Sequence, residues 1–211
     1  MTDHPLYADE ELVRQETQRH LDAGLTTFQL WLTQPTERLH ARWVLGQLDP
    51  PAYARVLSLG CGVAGMEDLW LAEQPNLRFT LVNVSLAQQG MTLCKGMRIC
   101  MDAMHYAPVG KFDVIVLAYA AGHLDYELLI ARAKDWLTEE GRILVLDIFD
   151  VEPETQRLLR YDAPTSAAMI EAGFKQVEVP GWHLHAPLAG ETALVQAAIE
   201  ATKPAMWVYR A

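Results

Sequence analysis

With 211 residues, 51% hydrophobic and 21% charged, the chain has enough apolar material for one domain with a full core and is neither disordered nor collagen-like. Asp and Glu number 27 against 17 Lys and Arg, a net charge of −10 without any basic cluster, which argues against a nucleic-acid partner. Cys61, Cys94 and Cys100 form neither a disulfide framework nor a metal-spaced set. No signal peptide precedes the first helix and no apolar run approaches the roughly 18 residues of a membrane span, so a cytoplasmic protein without a membrane partner is expected.

The first 48 residues read as helices. Asp9 is placed to N-cap a polar helix running through His20, and Gly24 breaks it. Leu25, Phe28, Trp31 and Leu32 mark a second amphipathic face. Pro35 opens a third helix with Leu39, Trp43 and Leu48 on one side, stopped by Pro50 and Pro51. The expected division is a helical cap over 1–50 and a core over 51–211.

From Tyr53 strands and helices alternate, as in a doubly wound parallel sheet. Strands are expected at 55–59, 78–82, 98–101, 112–118 and 142–149. Helices between them carry Met66, Leu69 and Trp70, then Tyr126, Leu129, Ile130, Ala133 and Trp136, and Gly141 is set where the second should turn into the fifth strand. The tail suggests a helix at 162–173, a sixth strand at 175–179, a helix at 190–202 and a final strand at 205–209. Two strands in the tail fit a last strand inserted beside the sixth better than a plain Rossmann sheet.

The apolar run Val56-Leu57-Ser58-Leu59 ends in Gly60-Cys61-Gly62, and an amphipathic helix follows. Gly60, Gly62 and Gly65 match the G-x-G-x-x-G dinucleotide pattern, a weak signal alone. Glu67 and Asp68 then fall in the first helical turn, where a pyrophosphate would sit, and would repel it. The ribose-binding acid expected about 20 positions on is absent, because Asn83 ends the second apolar run. A ligand carrying a sulfonium and an ammonium tolerates those carboxylates, which favours S-adenosylmethionine as the cofactor.

In order along the chain, Leu59-Gly60-Cys61-Gly62, the polar end of the second strand, Met101-Asp102-Ala103, Phe112-Asp113 and Glu140-Gly141-Arg142 resemble the class I S-adenosylmethionine-dependent methyltransferases. The stretches from Gly60 to Trp70 and from Val82 to Gln88 are similar to small-molecule members, the natural-product O-methyltransferases and the sterol, cyclopropane and prenyl C-methyltransferases. The resemblance implies a seven-stranded Rossmann-like sheet with the last strand antiparallel, and methyl transfer to a small, partly apolar metabolite of secondary metabolism. Oxygen is slightly favoured over carbon because no cationic or metal clamp for a diphosphate is evident. Another reaction, or binding without catalysis, stays open on the same fold; a nucleic-acid methyltransferase is disfavoured by charge, and a homodimer is left open. Three positions depart from the family pattern: Ser58 stands where Asp or Glu is usual, Asn83 replaces the ribose acid, and Ala64 replaces a frequent glycine. Glu67 or Asp68 is the candidate to compensate for Ser58.

The same resemblance places Gly60, Cys61 and Gly62 on the cofactor turn, with Cys61 as a space-filler and not a nucleophile. Asn83 meets the ribose, with Ser85 and Gln88 behind it; a helix-start role for Asn83, with Ser85 as N-cap, is the alternative. Asp102 accepts from the adenine amino group, Ala103 and Met104 offer an N–H and an apolar wall, and Leu117 and Ala118 present carbonyls to the methionine ammonium. His123, just past the fourth strand, is the candidate catalytic base, with a structural histidine as the rival reading. Trp31, His40, Trp43, Tyr106 and Tyr119 are the candidate acceptor-pocket residues, each with a packing or capping role as the alternative. His183 and His185 share a face, but two ligands do not make a metal site, and none is expected.

Overall fold

The computed structural model describes residues 9–26, 31–159, 162–184, 197 and 199–211. Its sheet is built from β2 (Arg55–Leu59), β3 (Arg78–Asn83), β4 (Met97–Cys100), β5 (Phe112–Ala118), β6 (Leu137–Phe149), β7 (Lys175–Gln176) and β9 (Lys203–Arg210), in the order β4-β3-β2-β5-β6-β9-β7. The first five are parallel, and β9 runs antiparallel to both β6 and β7. The last strand is therefore inserted beside the sixth, as the two tail strands implied.

The central strands are apolar throughout because both faces of a parallel sheet are covered. Alternation sorts their side chains. Leu57, Leu59, Ile115, Leu117, Ile143 and Val145 join Leu129, Ile130 and Ala133 of α5 (Tyr126–Asp135) on one face. Val56, Val114, Val116, Leu144 and Leu146 join α2 (Glu37–Leu48) and α3 (Gly65–Glu73) on the other. Trp70 of α3 is fully buried there and donates its indole N–H to the Ala41 carbonyl of α2 at 2.7 Å.

Several boundaries differ from the sequence expectation. Helix α1 (Glu10–Asp22) does start at Asp9, whose carboxylate accepts from the Glu11 and Leu12 amides, both at 3.1 Å, and it runs past His20 to Gly24 at φ +77°. Trp31 and Leu32 are not helical. They form β1 (Trp31–Leu32), paired antiparallel with β8 (His183–Leu184); Phe28 and His185 lie outside the described residues. Helix α2 is capped by Thr36 after Pro35, and its buried face is His40, Ala41, Val44, Leu45 and Leu48; Leu39 is 45% exposed and Trp43 half-buried. The face is rotated because α2 packs against α3 and the sheet together. Helix α5 ends at Asp135, so Gly141 does not cap it. Gly141 instead lets the chain fold tightly on itself, since a Cβ there would sit 2.9 Å from the Leu137 side chain. The tail helix is shorter than 162–173, at α7 (Ser166–Glu171), and most of 190–202 lies outside the described residues.

Candidate functional site

The carboxyl ends of β2, β3 and β5 converge at the glycine turn. Gly60 and Gly62 take φ +70° and +55°, a region that favours glycine, and Ala64 follows at +57°. The amides of Gly60 and Cys61 both donate to the Val82 carbonyl, at 2.8 and 3.2 Å, which stitches the turn to the end of β3. A Cβ at Gly60 would come within 2.6 Å of the Ala120 Cβ, so the turn is also moulded to the chain leaving β5. Burial and the Glu67 carboxylate push the Cys61 thiol well above its usual range. A thiol kept protonated is a poor nucleophile.

Beneath the turn, Glu67 is 3% exposed and accepts from the Ser58 hydroxyl at 2.6 Å. Above the start of α3, the N-terminal segment crosses so closely that a Cβ on Gly65 would meet the Thr26 carbonyl oxygen at 1.8 Å. Thr26 is held in turn by Glu37, whose carboxylate accepts from its amide at 3.0 Å and its hydroxyl at 2.6 Å. A carbonyl acceptor thus stands over the helix start where a pyrophosphate would need donors.

Asn83 is buried, and its amide group donates to Gln88 at 2.8 Å and to the Gly62 carbonyl at 3.3 Å. Ser85 N-caps α4 (Leu86–Gly90), accepting from the Gln88 amide at 3.2 Å. Glu10 reaches this point from α1, accepting from the Ser85 hydroxyl at 3.0 Å and from the Leu86 and Ala87 amides at 3.1 and 2.9 Å. Past β4, Asp102 starts a 3₁₀ turn over Ala103–His105, and its Oδ1 accepts from the Met104 amide at 2.8 Å. Arg132 of α5 donates to the Met104 carbonyl and, at 2.7 Å, to the Tyr106 carbonyl, fixing that loop.

At the end of β5, Leu117 is buried and Ala118 half-buried. Tyr119 takes φ +52°, uncommon for a bulky residue. Its hydroxyl donates to the Trp31 carbonyl at 3.0 Å and accepts from the Trp31 amide at 3.1 Å, and the Trp31 indole N–H donates to Thr202 at 3.2 Å. Burial first, then the nearby Asp147 carboxylate, push the Tyr119 phenol well up, so it stays protonated and able to donate. His123 closes a second 3₁₀ turn over Ala121–His123 and is half-buried. That turn is held by Asp147 of β6, fully buried, whose carboxylate accepts from the Ala121 amide at 3.0 Å and the Ile148 amide at 2.8 Å.

The turn residues, Asn83, Ser85, Gln88, Asp102–Met104, Leu117, Ala118, Tyr119, Trp31 and His123 therefore sit at or beside the carboxyl ends. Three other candidates have packing partners of their own. His40 is buried in α2, its Nδ1 accepting from the Thr33 amide at 3.0 Å. Trp43 packs on the α2–α3 face of the sheet. Tyr106 is buried edge-on against Trp136, with ring centroids 5.9 Å apart, and its hydroxyl feels Arg55 at the opposite, amino end of β2. Each of these three has a packing environment. Glu10, Thr26 and Asp147 were not singled out from sequence. Asp147 carried a usable signal, a lone carboxylate inside the apolar run from Ile143 to Phe149. Among the described residues no three His, Cys, Asp or Glu side chains come together as a metal site, and no helix is long and apolar enough to cross a membrane.

No family model and no curated protein matches this sequence. Solved structures do match. The [4+2]-cyclase SpnF superposes with a TM-score of 0.69 at 15% identity, over 95% of this chain and 94% of its own. The plantazolicin methyltransferase BpumL, in complex with a pentazolic desmethylPZN analog and SAH, gives 0.61 at 15% identity over 98% and 99%. A putative sarcosine dimethylglycine methyltransferase from Galdieria sulphuraria gives 0.68 at 11% identity over 92% and 97%. The chain has the class I methyltransferase fold. In the methyltransferase fold as this chain builds it, the glycine turn, Asn83 and Asp102 lie along one edge, and the N-terminal segment is anchored over that edge at Ser85, Gly65 and Tyr119.

Proposed function

We propose that the chain binds S-adenosylmethionine at the carboxyl edge and transfers its methyl group to a small, partly apolar metabolite, with oxygen slightly favoured as acceptor. One observation carries this reading above the fold: the edge gathers the buried Glu67 carboxylate and Asp102 around a glycine turn whose helix start is covered by the Thr26 carbonyl. That acceptor-rich set suits a cationic ligand and opposes a diphosphate, and these residues fit S-adenosylmethionine. The cofactor supplies an electrophilic methyl group on a sulfonium. Gly60–Gly62 and Leu117–Ala118 would hold its amino-acid end, Asn83 with Gln88 its ribose, and Asp102 with Ala103 and Met104 its base. The chain's own contribution is position and exclusion of water, the work of the segment from α1 through Trp31. The lid proposed for 1–50 is accordingly concentrated in the part before α2, since α2 packs into the sheet face.

Calorimetric titration tests the binding. S-adenosylmethionine and S-adenosylhomocysteine are expected to bind and NAD⁺ not to, with Asp102→Ala weakening both adenosyl ligands about 10–100-fold through loss of a charge-assisted hydrogen bond. Absence of adenosyl binding in the native chain sinks the reading. His123, on the turn that Asp147 fixes, is the proposed base for a protonated acceptor. His123→Ala is then expected to lower kcat by roughly 10²–10⁴ with the cofactor Kd unchanged, measured with the first acceptor found. A second reading is favoured by SpnF, which shares this fold and is by its own description a cyclase. Cofactor binding with no methylated product across apolar acceptors would support it.

A further inference from the structure

Among the described residues, one buried acid at the turn has no partner of opposite charge to explain it. Ser58 alternates with Leu57 and Leu59 and so faces α3, where Glu67 is the third residue of the helix. The two side chains meet behind the Gly60–Gly62 turn, with Glu67 almost wholly shielded from water. Burial pushes the Glu67 carboxyl up, while the Ser58 hydroxyl and its own backbone N–H hold it down. The titratable groups around it are Cys61 on the turn and Cys94 ahead of β4, whose thiols are raised by burial first and then by Glu67, and Asp68, which adds its negative charge at Cys94. Among the described residues no cation acts on Glu67. A carboxylate shut away without a cation is costly, and an apolar residue of similar size would pack the same space at less cost.

Resting on the cofactor reading above, we propose that Glu67 is the acid of the cofactor turn, carried on the helix in place of the strand. It holds the turn through Ser58 and favours a positively charged ligand over an uncharged one. Ser58 then supplies a hydroxyl where a strand-borne carboxylate would crowd Glu67, and the charge missing from position 58 reappears at position 67. Glu67 is a positioning residue, and its charge, beyond its shape, is what the ligand senses.

The test compares three ligands by calorimetry on the full chain: S-adenosylmethionine, S-adenosylhomocysteine, and 5′-methylthioadenosine, which lacks both the sulfonium charge and the amino-acid end with its ammonium. Glu67→Gln keeps an acceptor for Ser58 and is expected to weaken S-adenosylmethionine about tenfold or more while changing methylthioadenosine less than about twofold. The exchange Ser58→Asp with Glu67→Ser, which moves the acid to the strand, is expected to bring S-adenosylmethionine affinity back to within about threefold of native. Thermal melts supply an independent readout. Because the folded state holds the Glu67 proton more tightly than the unfolded state, the native chain loses stability as pH rises from the ordinary glutamate range through the raised value. Glu67→Gln removes that loss and melts no lower than native at pH 8. Equal weakening of all three ligands by Glu67→Gln, or no weakening, overturns the inference and leaves the cofactor site standing. Failure of the native chain to bind any adenosyl ligand overturns the cofactor reading itself.

Discussion

Replacing Gly65 by alanine is expected to lift the N-terminal segment off the glycine turn. Gly65 has no positive φ and begins α3, so helix propensity alone would favour alanine by up to about 1 kcal/mol. Tertiary structure reverses that sign. The new Cβ would lie 1.8 Å from the Thr26 carbonyl oxygen and 2.4 Å from its carbon, backbone atoms that no rotamer change can clear. Thr26 must move, and its bonds to Glu37 move with it. Overpacking of this kind costs about 1–3 kcal/mol. The expected result is a loss of stability in denaturant melts and faster hydrogen exchange at the Thr26 amide. Cofactor affinity should fall as well, because the segment covers the edge where the ligand is proposed to sit. A melt in which Gly65→Ala is as stable as native, with the Thr26 amide still protected, would show that the segment does not press on the turn.

Asp147→Ala is expected to have the largest effect on stability among changes at the site, and to act on turnover more than on cofactor binding. The carboxylate is fully buried and serves two amides, Ala121 at 3.0 Å and Ile148 at 2.8 Å. Truncation strands the Ala121 N–H, which sits among buried residues, and a buried donor without its charged acceptor costs about 1–3 kcal/mol. Asn is a poor substitute, since one of its two terminal atoms is a donor and would face an N–H. Loosening the Ala121–His123 turn displaces the proposed base without touching Asn83 or Asp102. We expect a drop of about 2–3 kcal/mol in unfolding free energy by urea titration, and a kcat reduced further than Kd for S-adenosylmethionine. A variant with native stability would mean that another acceptor takes over the Ala121 amide.

Among the described residues, three dissimilar contacts tie the N-terminal segment to the carboxyl edge of the core. Glu10 caps the start of α4, the Thr26 backbone seats on a residue without a side chain, and the Tyr119 hydroxyl reads both the N–H and the C=O of Trp31. The last of these compensates for the left-handed backbone at Tyr119.

The alternation of apolar runs and amphipathic helices from Tyr53 onward determined the sheet by itself. A strand buried on both faces must be apolar throughout, and residues such as Ile115 and Val116 can satisfy that only in the middle of a parallel sheet. The glycine turn and the polar strand ends at Asn83 and Asp102 were legible for the same reason, being breaks in an otherwise apolar pattern. In the N-terminal fifty residues the helices that start at Asp9 and after Pro35 were legible, and the segment between them was not. Trp31 and Leu32 fit a helical period, yet they became a strand because β8 offers a partner 150 residues away and Tyr119 binds the backbone between them. His40, Trp43 and Tyr106 carry chemistry that invites a site, and each also has packing partners from distant elements that the sequence did not reveal. Gly65 matched a ligand motif and instead admits Thr26, while Glu67, read from sequence both as a charge that repels a diphosphate and, with Asp68, as a candidate to compensate for Ser58, is the one of the two joined to Ser58 under the turn. Local periodicity records which face of an element is buried, whereas the identity of what buries it depends on contacts between segments far apart in the chain, which periodicity does not encode.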